Sequence, residues 1–274
     1  SSYNVKEFVK NHFNSTDYAG ESLPDVRDAW VSISGQRANG VPYFGRRAVR
    51  SVVVAGLKAA IDNSEELRED AKFFNLMAAP GYPELIQNMV ALNTARRDTA
   101  FIIGDLPMNL SNDSTMLTNY LTNTAAQTYD NDIGLATNYQ FASFYYPPAV
   151  LTNDTFGNTI MQPASHAVLR TFINSDNKSA PWFAPAGTRR GLVNNATDLG
   201  YVDFTTGEFV RSGVSQGLRD TLYENKINPI TIIPGIGLVV WGQKTRDPNT
   251  ESMDRVNVSR LVNYIRSICN EYAS

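Results

Sequence analysis

Short unbroken apolar runs alternate with helically spaced apolar positions along much of this chain. Phe73 to Ala79 is largely apolar and stops at Pro80-Gly81, which predicts a strand bounded by a turn. Leu85, Ile86, Met89, Val90 and Leu92 then recur at helical spacing, behind a proline, Pro83, of the kind a first helical turn tolerates. Arg96 and Arg97 follow, suited to the negative end of that helix's dipole. Ala100 to Leu106 is the next apolar run. Strand, helix and strand in this order predict a βαβ unit, and hence a parallel sheet with a right-handed crossover. Ser114 to Tyr129 reads as a further helix, with Met116, Leu117, Tyr120 and Leu121 inward. Gln140 to Tyr146 reads as a further strand, stopped by Pro147-Pro148. The alternation predicts a layered α/β fold.

The two ends carry different patterns. Residues 1–45 mix an amphipathic segment (Val5, Phe8, Val9, Phe13) with Gly- and Pro-punctuated linker. Arg46 to Ile61 reads as a helix with Val49, Val53 and Ala60 inward, and Asn63 with Glu66 as a weak capping box opening a short second helix. At the other end, Ile227 to Ile233 and Ile236 to Trp241 flank Pro234-Gly235, which predicts a hairpin or a sharply bent strand. Val258, Leu261, Ile265, Ile268 and Tyr272 then form one helical stripe. That stripe predicts a helix with Ile265 buried against the strand ending at Trp241, and with Asn263 facing solvent. The division that follows is an N-terminal helical and linker segment (1–70), an α/β domain (71–225) and a hairpin-plus-helix segment (226–274).

Composition narrows the function classes. The chain has 274 residues, 42% hydrophobic and 19% charged, which describes a globular protein. A net charge of −3 provides no basic footprint, so direct nucleic-acid binding is not expected. The single cysteine, Cys269, excludes an intrachain disulfide or a cysteine-based zinc cluster, and its place on the last helix predicts a small core residue. With two histidines, His12 and His166, a His-rich metal site is not expected either. No run approaches the ~20 apolar residues of a membrane span, so no membrane insertion is expected. The start, SSYNVKEF, lacks both a signal pattern and an initiator Met, and reads as a processed end or that of an excised piece.

The candidate chemistry is thin. Gly213 to Gly217 (GVSQG) matches the five-residue nucleophile elbow, with Ser215 at its centre. A strand at Glu208 to Arg211 and a helix at Leu218 to Asn225 would suit it. An elbow serine also needs a base, and no histidine follows position 166. Ser215 is therefore expected to cap a helix. Gly235 to Gly242 contains GxG without the full dinucleotide spacing, and it leads into β-branched residues rather than a helix. His166 with Asp176 or Ser165 would make a dyad only if folding brought them together. No catalytic residue, cofactor or metal is expected. Trp182 and Phe183, set between prolines, suit either core packing or a protein interface. Arg189, Arg190, Lys244, Arg246 and Arg255 are scattered basic points, some of them candidates to meet acidic patches on a neighbour.

The wording of three stretches adds a resemblance. NPITIIPGIGLVVWGQKT (Asn228 to Thr245), followed within about a dozen residues by VNVSRL, resembles the entry to the C-terminal domain of contractile-tail sheath proteins. PASHAVLRTFINSDNKSAPWFAPAGTRRG (Pro163 to Gly191) resembles a second sheath segment, matching at Ser165-His166, Arg170-Thr171, Asp176, Trp182, Ala184 to Gly187 and Arg189 to Gly191. The strand endings A-P-G, D-L-P and Y-Y-P, with a helix between the first two, resemble a third. The likeness spans Phe73 to Tyr272. It departs from the family at Ala164 and Ala167, where glycine is usual, and at Leu169, where the A-R-T context is shifted. The resemblance implies a subtilisin-like α/β domain in a structural subunit of the virion tail. Copies would form a helical lattice around a tail tube, joined to a baseplate, and contract without any cofactor. The alternatives are a serine hydrolase using Ser215 and a sheath-like component of a related injection machine. The resemblance also implies terminal arms that add strands to neighbours. Without such arms, a 274-residue chain ending after the VNV helix is expected to be a soluble monomer, whereas the intact protein is expected to form tubular polysheaths.

Overall fold

A computed structural model of the chain describes residues 46–69, 72–124, 134–203, 206–249 and 252–273. The amphipathic segment expected at Val5 to Phe13, the side chain of Val49 and the end of the helix expected to reach Tyr129 lie outside the described residues. Two sheets organise the rest.

The first sheet has five strands in the order β1 (Leu76–Ala78), β2 (Phe101–Gly104), β3 (Ala142–Tyr146), β8 (Asn228–Ile233) and β9 (Gly237–Val240). β1, β2, β3 and β8 are mutually parallel, and β9 turns back antiparallel on β8. Both faces are covered, which is why β2 and β3 are buried along their whole length and read as unbroken apolar runs. The period of two still sorts their side chains. Ile102, Phe144 and Tyr146 join one core cluster, with Met89 and Leu92 of α2 (Ile86–Ala95), Leu117 and Tyr120 of α3 (Ser114–Thr122), and Leu222. Phe101, Ile103 and Tyr145 join the other, with Val168 and Phe172 of α4 (Ala164–Lys178). Asp113 caps α3, its carboxylate accepting from Met116 N at 2.8 Å.

The βαβ expectation holds: β1, a 3-10 turn at Pro83–Leu85, α2 and β2 follow in order. The hairpin expectation holds too, with Gly235 in the left-handed region (φ 77°) at its turn. Some boundaries differ. β1 is confined to Leu76–Ala78. α1 (Arg46–Asn63) is a helix as expected, but Ala60 faces solvent and Ile61 packs on the core instead. The capping box does not form. Ser64, not Asn63, accepts from Leu67 N at 3.2 Å, and the chain makes a turn there rather than a second helix.

Of the second sheet's strands, only the one expected at Glu208 to Arg211 has a counterpart, at Phe209–Arg211. β4 (Ala149–Asn153) leaves β3 across Pro147-Pro148 and pairs antiparallel with β5 (Thr159–Pro163) and β6 (Asp198–Val202), which pairs with β7 (Phe209–Arg211). Its strands are only three to five residues long, and β5 and β7 are half-solvated, so no long apolar run marks them.

Candidate assembly surface

The last helix, α7 (Val256–Ala273), is turned opposite to the expectation from its stripe. Its inward residues are Val256, Ser259, Arg260 and Asn263, and Asn263 is only 3% exposed. Leu261, Tyr264, Ile265 and Tyr272 face outward, with Ile265 49% exposed. Cys269 is exposed rather than in the core, and Trp241 at the end of β9 is exposed as well. The cause is a set of polar anchors stronger in direction than the apolar stripe. Arg260 forks onto Asp176 of α4, at 2.8 and 2.6 Å, with its guanidinium over the Phe172 ring. Asn263 Nδ2 donates to Asp98 O at 2.5 Å, and Arg266 to Asp98 Oδ2 at 2.7 Å. Ser259 Oγ donates to Met253 O at 2.9 Å. A buried arginine left without its carboxylate would cost several kcal/mol, roughly 3–5, so these pairs fix the helix's rotation.

Asp98 is the hub of this arrangement, and the sequence offered no motif for it. Arg97 and Asp98 both take left-handed backbone (φ 60° and 55°) in the turn between α2 and β2. That turn aims the carboxylate at Arg266 and Tyr139, whose hydroxyl donates to Asp98 Oδ1 at 2.5 Å. Burial, and after it the neighbouring Asp98 carboxylate, push the Tyr139 phenol above its ordinary range.

The outward face of α7 continues onto the Pro181–Pro185 loop. Trp182, 37% exposed, lies with its ring 5.0 Å from Tyr264, and Phe183 is exposed beneath the Arg190 guanidinium at 4.4 Å. Trp182 and Phe183 thus belong to an exposed aromatic surface, one of the two roles their sequence context allowed. A contiguous apolar surface of this kind on a helix is a feature of interfaces.

The five basic points separate into two kinds. Arg189 and Arg190 stand on the short α5 (Gly187–Arg190), beside this surface. Arg255 is half exposed and reaches Asp254 at 3.2 Å. Lys244 is buried on Asp254 at 2.6 Å. Arg246 donates to the carbonyls of Thr137 and Asn225 at 3.0 and 2.7 Å, and burial lowers its pKa. Lys244 and Arg246 therefore tie the hairpin and α7 to the sheet within the subunit.

The residues considered for catalysis are not brought together. Ser215 is the N-cap of α6 (Gln216–Glu224), its Oγ accepting from Leu218 N at 3.3 Å. His166 is exposed on α4, and Asp176 belongs to Arg260. Ser165 instead serves Asp105, a buried carboxylate at the end of β2. Asp105 accepts from Ser165 N and Oγ at 2.9 and 2.6 Å, and from Gly81 N at 2.9 Å. Burial pushes its pKa up to about 6 despite these three donors. The two strand-end words A-P-G and D-L-P meet here and lock onto the start of α4. Among the described residues, no group of His, Cys, Asp and Glu could hold a metal.

The comparisons with known proteins bear on this surface. No protein-family model matches the chain. Over 93 residues, 34% of its length, it is 36% identical to the tail sheath protein of Enterobacteria phage T4. Over 99 residues it is 33% identical to that of Vibrio phage KVP40. Over about a third of its length, the chain is similar to phage tail sheath proteins. The matched stretches amount to 12% and 13% of those phage sheath proteins, so the chain spans a small part of their length. The fold extends the relation. The sheath complex of an extracellular contractile injection system (PVC) in its contracted state has TM-score 0.53 at 20% identity, over 80% of this chain and 51% of that one. The contracted helical sheath of the anti-feeding prophage has TM-score 0.50 at 20% identity, over 80% and 50%. The mixed α/β fold with two sheets is thus shared with sheath subunits.

Proposed function

We propose that this protein is a structural, non-enzymatic subunit of a contractile phage tail sheath. Copies wrap a tail tube in helical order, meet a baseplate at one end and shift as near-rigid bodies from an extended to a contracted lattice. The shift drives the tube through the host envelope. This is an open, heterologous assembly that stores its energy in interfaces, and it calls for no cofactor. The matched tail-sheath stretch carries the reading, and the uncovered aromatic face of α7 supports it. The protein's place is the virion tail, with neither membrane insertion nor direct nucleic-acid binding. Among the described residues, no helix is long and apolar enough to cross a membrane. In this reading 71–225, with three of the parallel strands, is the subtilisin-like part, 1–70 leads into it, and 226–274, which adds β8 and β9 to the same sheet, begins the C-terminal sheath domain. Arg189, Arg190 and Arg255 are the basic residues placed to meet neighbouring subunits. A sheath-like role in a related injection machine is the second reading. Identity of 33–36% to two phage tail sheath proteins, over about a third of the chain, supports the phage tail.

Electron microscopy of the full-length protein, together with fluorophosphonate labelling, tests the proposal. Tubular polymers and an unlabelled Ser215 are expected. Discrete particles whose Ser215 takes the label would establish a hydrolase instead.

A further inference from the structure

The tip of the β4–β5 hairpin holds an aromatic side chain that its own subunit does not use. Phe156 is 88% exposed. Its turn is nonetheless tightly built. Asp154 Oδ1 accepts from Phe156 N and Asn158 N, both at 2.8 Å, and Oδ2 accepts from Asn158 Nδ2 at 3.0 Å. Gly157 N donates to Asp154 O at 3.1 Å, and Asp154 N to Asn158 O at 2.9 Å. Gly157 supplies the left-handed residue (φ 85°) that closes the turn. These donors hold the Asp154 carboxyl below its ordinary range, so it is an anion. The result is an apolar knob with a fixed negative charge at its base. A phenyl ring held in water by an ordered turn adds nothing to folding, whereas interface anchors have this form.

The outward face of α7 has the complementary features. Arg97, Ile265, Arg266 and Cys269 border an open hollow of about 360 Å³. Arg266 is neutralised by Asp98. Arg97 donates to Asn270 Oδ1 at 3.2 Å, and no ion pair reaches it among the described residues. The hollow is therefore apolar on one side and carries an uncompensated cation on the other.

We propose that the Phe156 tip of one copy seats in the α7 hollow of the next, with Asp154 facing Arg97. This names the partner of the exposed face and rests on the sheath reading above. Each copy has one knob and one hollow at different places, and in the helical lattice of the sheath reading the contact is heterologous and propagates from copy to copy. Opposite charges at the rim set its register.

The lone cysteine makes the contact testable, because Cys269 is exposed and lines the hollow. Thr155→Cys keeps Phe156 in place and adds a thiol beside the knob. Under mild oxidation, the expected product is a ladder of disulfide-linked oligomers on a non-reducing gel. It should form about tenfold or more faster than from Glu65→Cys, an exposed site on a different segment, because docking raises the local thiol concentration. Adding Phe156→Ser or Arg97→Glu should abolish the advantage, and Cys269→Ser should abolish the ladder. A ladder no faster than that of Glu65→Cys would overturn the proposal. So would dimers alone, which a propagating contact does not give. Imaging the same samples separates the two claims. Tubes without the fast ladder would leave the sheath reading standing and remove this contact, while a fast ladder without tubes would do the reverse.

Discussion

Asp105 shows how one buried residue couples three segments and a pH dependence. Its carboxylate joins the turn after β1, the end of β2 and the start of α4. Its pKa is raised from 3.8 to about 6, so the folded state holds the proton more tightly than the unfolded chain does. The stability this contributes is fully present below the unfolded value and is lost as pH rises through about 6. The interval corresponds to roughly 3 kcal/mol at most. Unfolding free energies measured between pH 4 and pH 7 should therefore fall with rising pH from this group. Asp105→Asn, which cannot titrate, should flatten that part of the profile. An unchanged slope in the variant would show that some other group is responsible.

At the level of elements, α7 divides what the sequence disclosed from what it did not. Hydrophobic period and turn residues were sufficient for the βαβ unit, for the β8–β9 hairpin and for the existence of α7 itself. They failed for its rotation. A stripe such as Leu261, Ile265, Ile268 and Tyr272 marks a face that seeks cover, but not whether the cover lies inside the subunit. The partners that set the rotation, Asp176 with Arg260 and Asp98 with Asn263 and Arg266, are remote in sequence and share no motif. Most of the second sheet stayed hidden for a different reason, because its strands are only three to five residues long and two of them are half-solvated. The candidate site was legible only in part. Trp182, Phe183, Arg189 and Arg190 stood out as residues, yet the surface they form depends on where α7 turns its apolar side. The two readings of the helix predict opposite mutational effects. Asn263→Ala should leave the buried Asp98 carbonyl without its donor and cost about 1–3 kcal/mol, lowering the melting temperature by roughly 2–10 °C. Ile265→Ala should change stability by less than about 1 kcal/mol, as surface substitutions do. Thermal melts with the reverse ranking would restore the inward stripe.

On the scale of the whole molecule, two sheets share a packed interior while apolar side chains remain outside it. β2 and β3 are buried on both faces, and the buried Arg260–Asp176 pair holds α7 on α4. A unit bound in this way resists internal rearrangement, because close-packed cores do not deform continuously. Its uncovered surface, by contrast, can exchange neighbours. These are the properties a contracting lattice asks of its parts: a stiff subunit and separable contacts. Helical reconstruction of the assembled protein in both its extended and its contracted states tests this most directly. The account predicts that residues described in both sheets superpose between the two states as one body, with the changes confined to contacts between copies. Failure to form a helical polymer, or a polymer in which the two sheets part from each other on contraction, would contradict it.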